Sequence, residues 1–469
     1  MHNVHLVLLI VYAVGLTAAG LWVSRLVRGS GDFFVAGRSL TAPLIFSTVL
    51  AANIGAGTTV AATGLAYEQG ISAWWWNGSA ALGSLVLAFW IGPRIWRLAS
   101  KHGFYTAGDF LEHRYGPTVR GVVASLIWVG TLAILAAQLI AGAAVLSVVA
   151  GISRPSGIAI GAIAMTIYFV AGGLLSSVWV NLIQLVVLIG GFLIAMPVLY
   201  GAVGGAEAFA SMPVPHEGYW NIMYSTGSGM SGWAMIAVLT PAFIISPGLL
   251  QKAYGAASER AVRIGIGAQA CAQLVFATIP VYFGLSARAA SLAIDSQNSV
   301  LPAVLSTELP PALGALGLAA VFSAEVSTCD AILFMLSTSL SKDLYKRFIH
   351  PAASDRRLLL VARIAAVMGG AGGILLAGLF ATIVDALRIF YSLLGVSLFV
   401  PVVGGLITRR AGTAEALASI AAGVGVLLTV RFATGPVGIL SEELLGLTAA
   451  ALAYVAVLAL RVRLGRATW

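Results

Sequence analysis

The sequence predicts an all-α integral membrane protein with about thirteen membrane-spanning helices. Three observations carry that expectation. Of 469 residues, 59% are hydrophobic and only 9% are charged, whereas a soluble domain carries roughly a quarter of its residues as Asp, Glu, Lys and Arg. The apolar residues run continuously over span-length stretches, and the strands of a membrane barrel would instead alternate. The basic residues then alternate between the two sides of the resulting helical array.

The apolar segments fall near ~4–26, ~41–67, ~71–98, ~120–151, ~155–174, ~177–202, ~232–251, ~263–287, ~312–341, ~357–379, ~383–407, ~412–431 and ~439–461. Val4–Val23 lacks a basic leader and a cleavage signature, so it reads as a first span. With the N-terminus outside and the C-terminus inside, all 26 Lys and Arg except Arg154, Arg288, Arg388 and Arg431 fall in inner loops. The net charge of +9 therefore needs no acidic partner. So little charge excludes intrinsic disorder and a basic nucleic-acid module. Cys271 and Cys329 lie inside apolar runs and offer neither a disulfide framework nor metal-type spacing.

Two segments carry internal breakers. The second contains Asn53-Ile54-Gly55-Ala56-Gly57-Thr58, and the seventh contains Thr240-Pro241-Ala242-Phe243 followed by Ser246-Pro247-Gly248. Backbone groups freed at membrane depth must face protein or a polar cavity, because lipid cannot satisfy them. The breaks sit at the starts of two five-helix blocks, segments 2–6 and 7–11, and an odd number of helices inverts one block relative to the other. Paired broken helices in an inverted repeat point to a transporter's central site. The expected solute cavity therefore draws on Asn53, Gly55, Gly57, Thr58, Thr240, Phe243 and Ser246. The organisation follows as one transport domain, residues 1–469. It divides into an extra N-terminal helix and inner loop (1–40), a first repeat (41–202), a second repeat (232–407) and two C-terminal helices (408–469).

In the ninth segment, Ala324, Ser327, Thr328 and Ala331 share one helical face. Two hydroxyls on a small-residue stripe suit close helix packing. They equally suit a hard monovalent cation held by oxygens, the partners being carbonyls freed by the second segment's break.

Several stretches carry a family resemblance: Asp32-Phe33-Phe34-Val35-Ala36-Gly37-Arg38-Ser39-Leu40, Ala51-Ala52-Asn53-Ile54, Tyr67-Glu68-Gln69-Gly70, Gly172-Gly173-Leu174, Ile183-Gln184, Gln251-Lys252, Ser327-Thr328-Cys329-Asp330 and Lys342-Asp343-Leu344-Tyr345. Together they resemble the sodium:solute symporter family, over at least residues 32–346. The resemblance implies the leucine-transporter fold, alternating access and Na+ as the coupling ion. It places the family's common sodium site on the carbonyls of Ala51, Ile54 and Ala324 and the hydroxyls of Ser327 and Thr328. Two departures stand out. Val180-Asn181 replaces a Thr-Asp that serves a second sodium in some members, so one sodium is expected, with Asp330 as another source of charge. Glu325 stands where the family carries an apolar residue, and a carboxylate there suits ion or proton coupling as well as structural pairing.

Other features read more plainly. Trp74-Trp75-Trp76 suits an interfacial belt, Gly103–Arg114 an amphiphilic inner loop, and Asp385 with Arg388 an i, i+3 pair. His216 has no partner cluster for a metal, and no Walker A motif indicates ATP coupling. The function expected is sodium-coupled symport of a small organic solute, carboxylate or amino-acid-like, across the cytoplasmic membrane. Alternatives are a proton-coupled or cation transporter using Glu325, a membrane-embedded enzyme, or a solute sensor. No histidine falls in a central span to serve an enzyme, and Trp469 follows closely on the last helix with no signalling domain. The partners expected are the solute and the lipid bilayer, with no nucleic acid and no obligate protein.

Overall fold

The computed structural model describes residues 2–24, 38–224, 232–435 and 441–464. The motif Asp32–Gly37 lies outside the described residues, and the side chains of Gly172-Gly173-Leu174 are likewise not among those described. Among the described residues, ten helical runs are long and apolar enough to cross a membrane. Among the described residues there is no strand, only one isolated β-bridge between Leu40 and Ala256.

In chain order the helices are α1 (His2–Ser24), α2 (Ala42–Asn53), α3 (Ala62–Gln69), α4 (Trp74–Val86), α5 (Gly92–His102) and α6 (Ala107–Tyr115). Next come α7 (Pro117–Ala150), α8 (Arg154–Ala202), α9 (Trp233–Ile244) and α10 (Pro247–Tyr254). The rest are α11 (Glu259–Ala289), α12 (Pro311–Ile349), α13 (Asp355–Leu379), α14 (Ile383–Ile407), α15 (Thr413–Thr434) and α16 (Glu442–Arg463).

Both expected breaks are present. The chain leaves α2 at Asn53, takes an extended conformation at Ile54, and resumes through a wide π-type turn at Gly57–Ala61 before α3. The second break separates α9 from α10 at Ile245-Ser246, and Pro247 opens α10 at a position where its missing N–H costs nothing.

Segments 5 and 6 were expected as separate helices, but the backbone is helical without interruption from Arg154 to Ala202. A straight helix of that length would measure about 74 Å, more than twice the ~30 Å hydrocarbon core. The contacts at its two ends resolve this. Arg154 donates to the carbonyls of Ala377 and Ala381 at 3.2 and 3.3 Å, and to that of Phe380, at the C-terminal end of α13. At the other end, Gly191 rests on Leu316 and Ala320 near the start of α12. The start of α12 and the end of α13 lie on one face, because the short 350–354 connection joins their opposite ends. Arg154 and Gly191 therefore both meet neighbours toward that face, so the run is not one straight rod.

The two broken helices are tied together at one end of the molecule. Leu40 N–H donates to Gly255 O at 3.0 Å, and Ala257 N–H donates to Leu40 O at 2.9 Å. Trp96 Nε1 donates to Ala256 O at 3.0 Å, and Lys252 Nζ donates to Thr48 O at 2.9 Å. At the opposite end of α3, Gly70 takes φ +77°, and a Cβ there would stand 1.9 Å from Tyr219 O. Tyr219 OH donates to Ala66 O at 2.9 Å. Burial pushes that phenol up to about 12, so it remains a donor.

Candidate functional site

The site is built where α12 crosses the first break. Ser327 Oγ lies 2.8 Å from Ala51 O on α2 and 3.0 Å from Ala324 O one turn back on α12. Thr328 Oγ1 lies 3.2 Å from Ala52 O. This approach requires glycine at 55, since a Cβ there would stand 2.4 Å from Thr328 Oγ1. Gly55 N–H donates to Thr58 Oγ1 at 2.7 Å, and the Thr58 and Thr59 hydroxyls donate to Gly55 O at 3.0 and 2.8 Å. The structure thus brings Ala51, Ala324, Ser327 and Thr328 to one place, with buried Ile54 at the bend beside them. These are neutral hard oxygens, the donor set that suits a monovalent hard cation.

A cavity of about 50 Å³ adjoins this cluster, lined by Asn53, Gly55, Gly57, Thr58, Phe243 and Ser246 as the sequence suggests. Thr240 is a correction. It is one turn too early on α9, and its hydroxyl donates to Ser79 O at 3.0 Å instead of facing the cavity. The far wall is aromatic: the Tyr391 ring lies tilted at 5.4 Å from Phe243 and edge-on at 5.3 Å from Phe390. Trp76, read as interfacial, is 2% exposed and packs edge-on to Tyr391 behind Gly57.

Gln138 and Tyr391 were missed. Gln138 Oε1 accepts from Ala56 N–H at 2.9 Å, closing the first turn after the break. An amide in the middle of the 34-residue apolar helix α7 was the available signal. Tyr391 sits at a helix position no sequence pattern separates from ordinary packing.

Of the remaining candidates, Glu325 and Asp330 flank the hydroxyl cluster on α12, and Asn181 lies on α8. Asn181 and Asp330 are buried. Glu325 is buried beside Gly142 on α7, and neither carboxylate oxygen has a hydrogen-bond partner. The Asp385–Arg388 pairing is not what forms. Asp385 caps its own helix, accepting from Thr382 Oγ1 at 2.7 Å, and Arg388 reaches Glu443 at 2.8 Å and Glu442 at 3.0 Å on α16. His216 stacks on Tyr224 at 4.4 Å.

A second polar region lies at the end of the molecule that carries α6. Arg120 contacts Asp109 and Glu112 at 2.8 Å and Asp343 at 2.7 Å, while Arg347 holds the other oxygen of Glu112 at 2.7 Å. The Thr106–Asp109 capping box starts α6 and aims both acids of that helix at Arg120. A cavity of about 530 Å³ opens there, its rim including His102 and His113, whose rings stand 4.6 Å apart. Partial burial, His102 and Arg114 hold His113 below the usual histidine range.

Broken helices meeting an oxygen cluster inside an all-helical membrane bundle define a secondary transporter. The sodium:solute symporter family profile matches residues 33–423, and the chain belongs to that family. It is a transporter, not an enzyme, with Na+ as its coupling ion. Over 394 residues it is 25% identical to the sodium/glucose cotransporter of Vibrio parahaemolyticus, covering 76% of this chain and 72% of that one. It is 26% identical to the uncharacterized symporter YidK of Escherichia coli, covering 71% of this chain but only 60% of that one. A Na+-coupled sialic acid symporter, solved substrate-bound and outward-open, superposes with a TM-score of 0.81 at 19% identity over 97% of this chain and 98% of that one. A nucleobase-cation-symport-1 family transporter gives 0.59 at 16% identity, covering 92% and 95%. Both likenesses concern the fold.

Proposed function

We propose that the chain uses an inward sodium gradient to import a small organic solute through the cytoplasmic membrane, with one sodium ion per cycle. The ion is held by the carbonyls of Ala51, Ile54 and Ala324 and the hydroxyls of Ser327 and Thr328. The observation that carries this reading is Ser327 Oγ, within 3.0 Å of carbonyls from both the broken helix and its own. When such a hydroxyl turns its proton away, its lone pairs and the carbonyls all face one point. Asn181 in place of a carboxylate supports the single ion.

The path takes thirteen crossings with the N-terminus outside. The first of the ten long runs, Gly57–His102, completes the interrupted crossing begun by α2 and makes the whole of the next, and α1 and the first half of α8 supply the other two. The α6 end is then cytoplasmic, in keeping with its Lys and Arg. Single cysteines at Lys101 and Ala290 should label from opposite sides of the membrane.

The test of function is a thermal-shift screen of the purified chain against monocarboxylates, amino acids, sugars and quaternary amines, with and without sodium, followed by uptake into proteoliposomes. Ligand bound only by the folded state raises its stability. Uptake should need sodium with a Hill coefficient of one, and a coefficient near two would overturn the single-ion reading.

A second reading, proton or cation coupling through Glu325, is favoured by the two buried carboxylate oxygens without hydrogen bonds. Glu325→Gln should then change the pH or sodium dependence of uptake. An unaltered profile makes Glu325 structural.

A further inference from the structure

The central cavity has a composition that narrows its cargo. Among the described residues, no Asp, Glu, Lys, Arg or His lines it. An ammonium group entering it meets no counter-ion, and the carbonyls of Ala51, Ala52 and Gly55 already accept from hydroxyls.

What the cavity does present is a set of unspent donors. Gln138 is 1% exposed, its Oε1 is committed to Ala56 N–H, and its Nε2 makes no hydrogen bond among the described residues. Tyr391 is 8% exposed, and its hydroxyl is likewise without a partner. Gly248 and Leu249 also line the cavity, as the second and third residues of α10. Their N–H groups precede the first intrahelical bond, which Leu250 N–H makes to Ser246 O at 2.9 Å. Buried donors without acceptors await an acceptor, and donors at a helix N-terminus favour a negative one.

Size and charge narrow the class further. A cavity of about 50 Å³ holds about four waters, the bulk of a solute with roughly four to six heavy atoms. Thr328 belongs both to the cavity lining and to the proposed sodium cluster. A carboxylate placed among these donors therefore lies one side chain from the ion. Burying either charge alone in a site without charged walls is expensive, and burying the two together offsets part of that cost.

We infer that the solute is a short-chain monocarboxylate, co-transported with one sodium as an electroneutral pair. Its carboxylate is received by Gln138 Nε2, the Tyr391 hydroxyl and the N–H groups of Gly248 and Leu249. Its apolar end lies against Phe243, Leu387 and Phe390. This rests on the sodium-symport reading above and specifies its cargo.

The experiment is uptake of labelled propionate, glucose and alanine into proteoliposomes holding the full chain, with sodium-induced thermal stabilisation as a control that the protein is intact. Propionate uptake should require sodium, and a potassium–valinomycin potential should change its rate by less than about two-fold. Glucose and alanine should not accumulate. Tyr391→Phe should raise the KM for propionate about ten-fold, as expected for one lost hydrogen bond to a charged group, while leaving sodium stabilisation in place. Sodium-driven uptake of glucose or alanine in place of propionate overturns the inference and leaves sodium symport standing. So does stabilisation by sodium with no propionate uptake. Propionate uptake that ignores sodium overturns the coupling reading and leaves the cargo assignment.

Discussion

The centre of the molecule and its α6 end solve opposite problems with different chemistry. At the centre, α2, α7, α12 and α14 meet through hydroxyls, carbonyls, amides and rings, and no charged side chain lines the space between them. At the α6 end, one guanidinium gathers three carboxylates within 2.8 Å. Neutral oxygens bind an ion well enough to take it and weakly enough to release it, as transport requires. A paired charge cluster pulled apart leaves uncompensated ions, so it suits a joint that stays closed. The contrast teaches that the cavity beside the hydroxyl cluster is walled by neutral groups, while the ion-paired cluster stands at the α6 end.

The comparison breaks most readily at the centre. Ser327→Ala with Thr328→Ala removes two of the five proposed oxygens, and sodium-driven uptake should fall at least about ten-fold with membrane insertion intact. Unchanged uptake and sodium dependence would move the ion elsewhere. Gly55→Ala should have a similar effect, because the added methyl stands 2.4 Å from Thr328 Oγ1 and forces α12 away from the break. There, loss of sodium stabilisation in a thermal melt is the measurement.

At the α6 end the expected loss is of stability. Arg120→Ala leaves buried Asp343 with no cation among these partners and only the Thr106 hydroxyl, while Glu112 keeps Arg347 and Asp109 its capping N–H groups. It should cost about 3 kcal/mol, seen as a lower melting temperature in detergent. Arg120→Lys should recover only part of it, because an ammonium cannot fork to three carboxylates. The smallest effect concerns His113, which is held below the ordinary histidine value. A depressed histidine binds its proton more readily in the unfolded chain. The stability it contributes is therefore full above about pH 6.5 and lost progressively as pH falls below that. The protection factors of the α6 amides, which divide out the intrinsic slowing of exchange at lower pH, should fall between pH 7.5 and 5.5, and His113→Gln should flatten that change.

The breaks were legible because Gly55, Gly57, Pro247 and Gly248 act on their own backbone, so the signal is local. The hydroxyl stripe was legible as a face of one helix, although its partner Ala51 is 276 residues from Ser327 and came from family resemblance. The Arg120 cluster was not legible, since Asp343 is 223 residues away in sequence and only the bundle brings them together. Asp385 and Arg388 show spacing misleading by itself. An acid three residues after a threonine at a helix start is captured as a cap before it can reach a neighbouring arginine. The junction of segments 5 and 6 left no punctuation strong enough to end a helix, and only the contacts of Arg154 and Gly191 show that the run is not straight.

The short bridge from Leu40 to Gly255 and Ala257, with Lys252 bound to Thr48 O, fastens the starts and ends of the two broken helices to each other. Each interrupted helix taken alone is a hinge with its own freedom to flex. Riveted at one end, the pair shares that freedom, and stiffening one partner stiffens the other. An ion that orders the first break therefore settles part of the entropy that a solute at the second would otherwise lose. The two cargoes need not touch to assist each other, and by thermodynamic reciprocity each tightens the other's binding by the same factor.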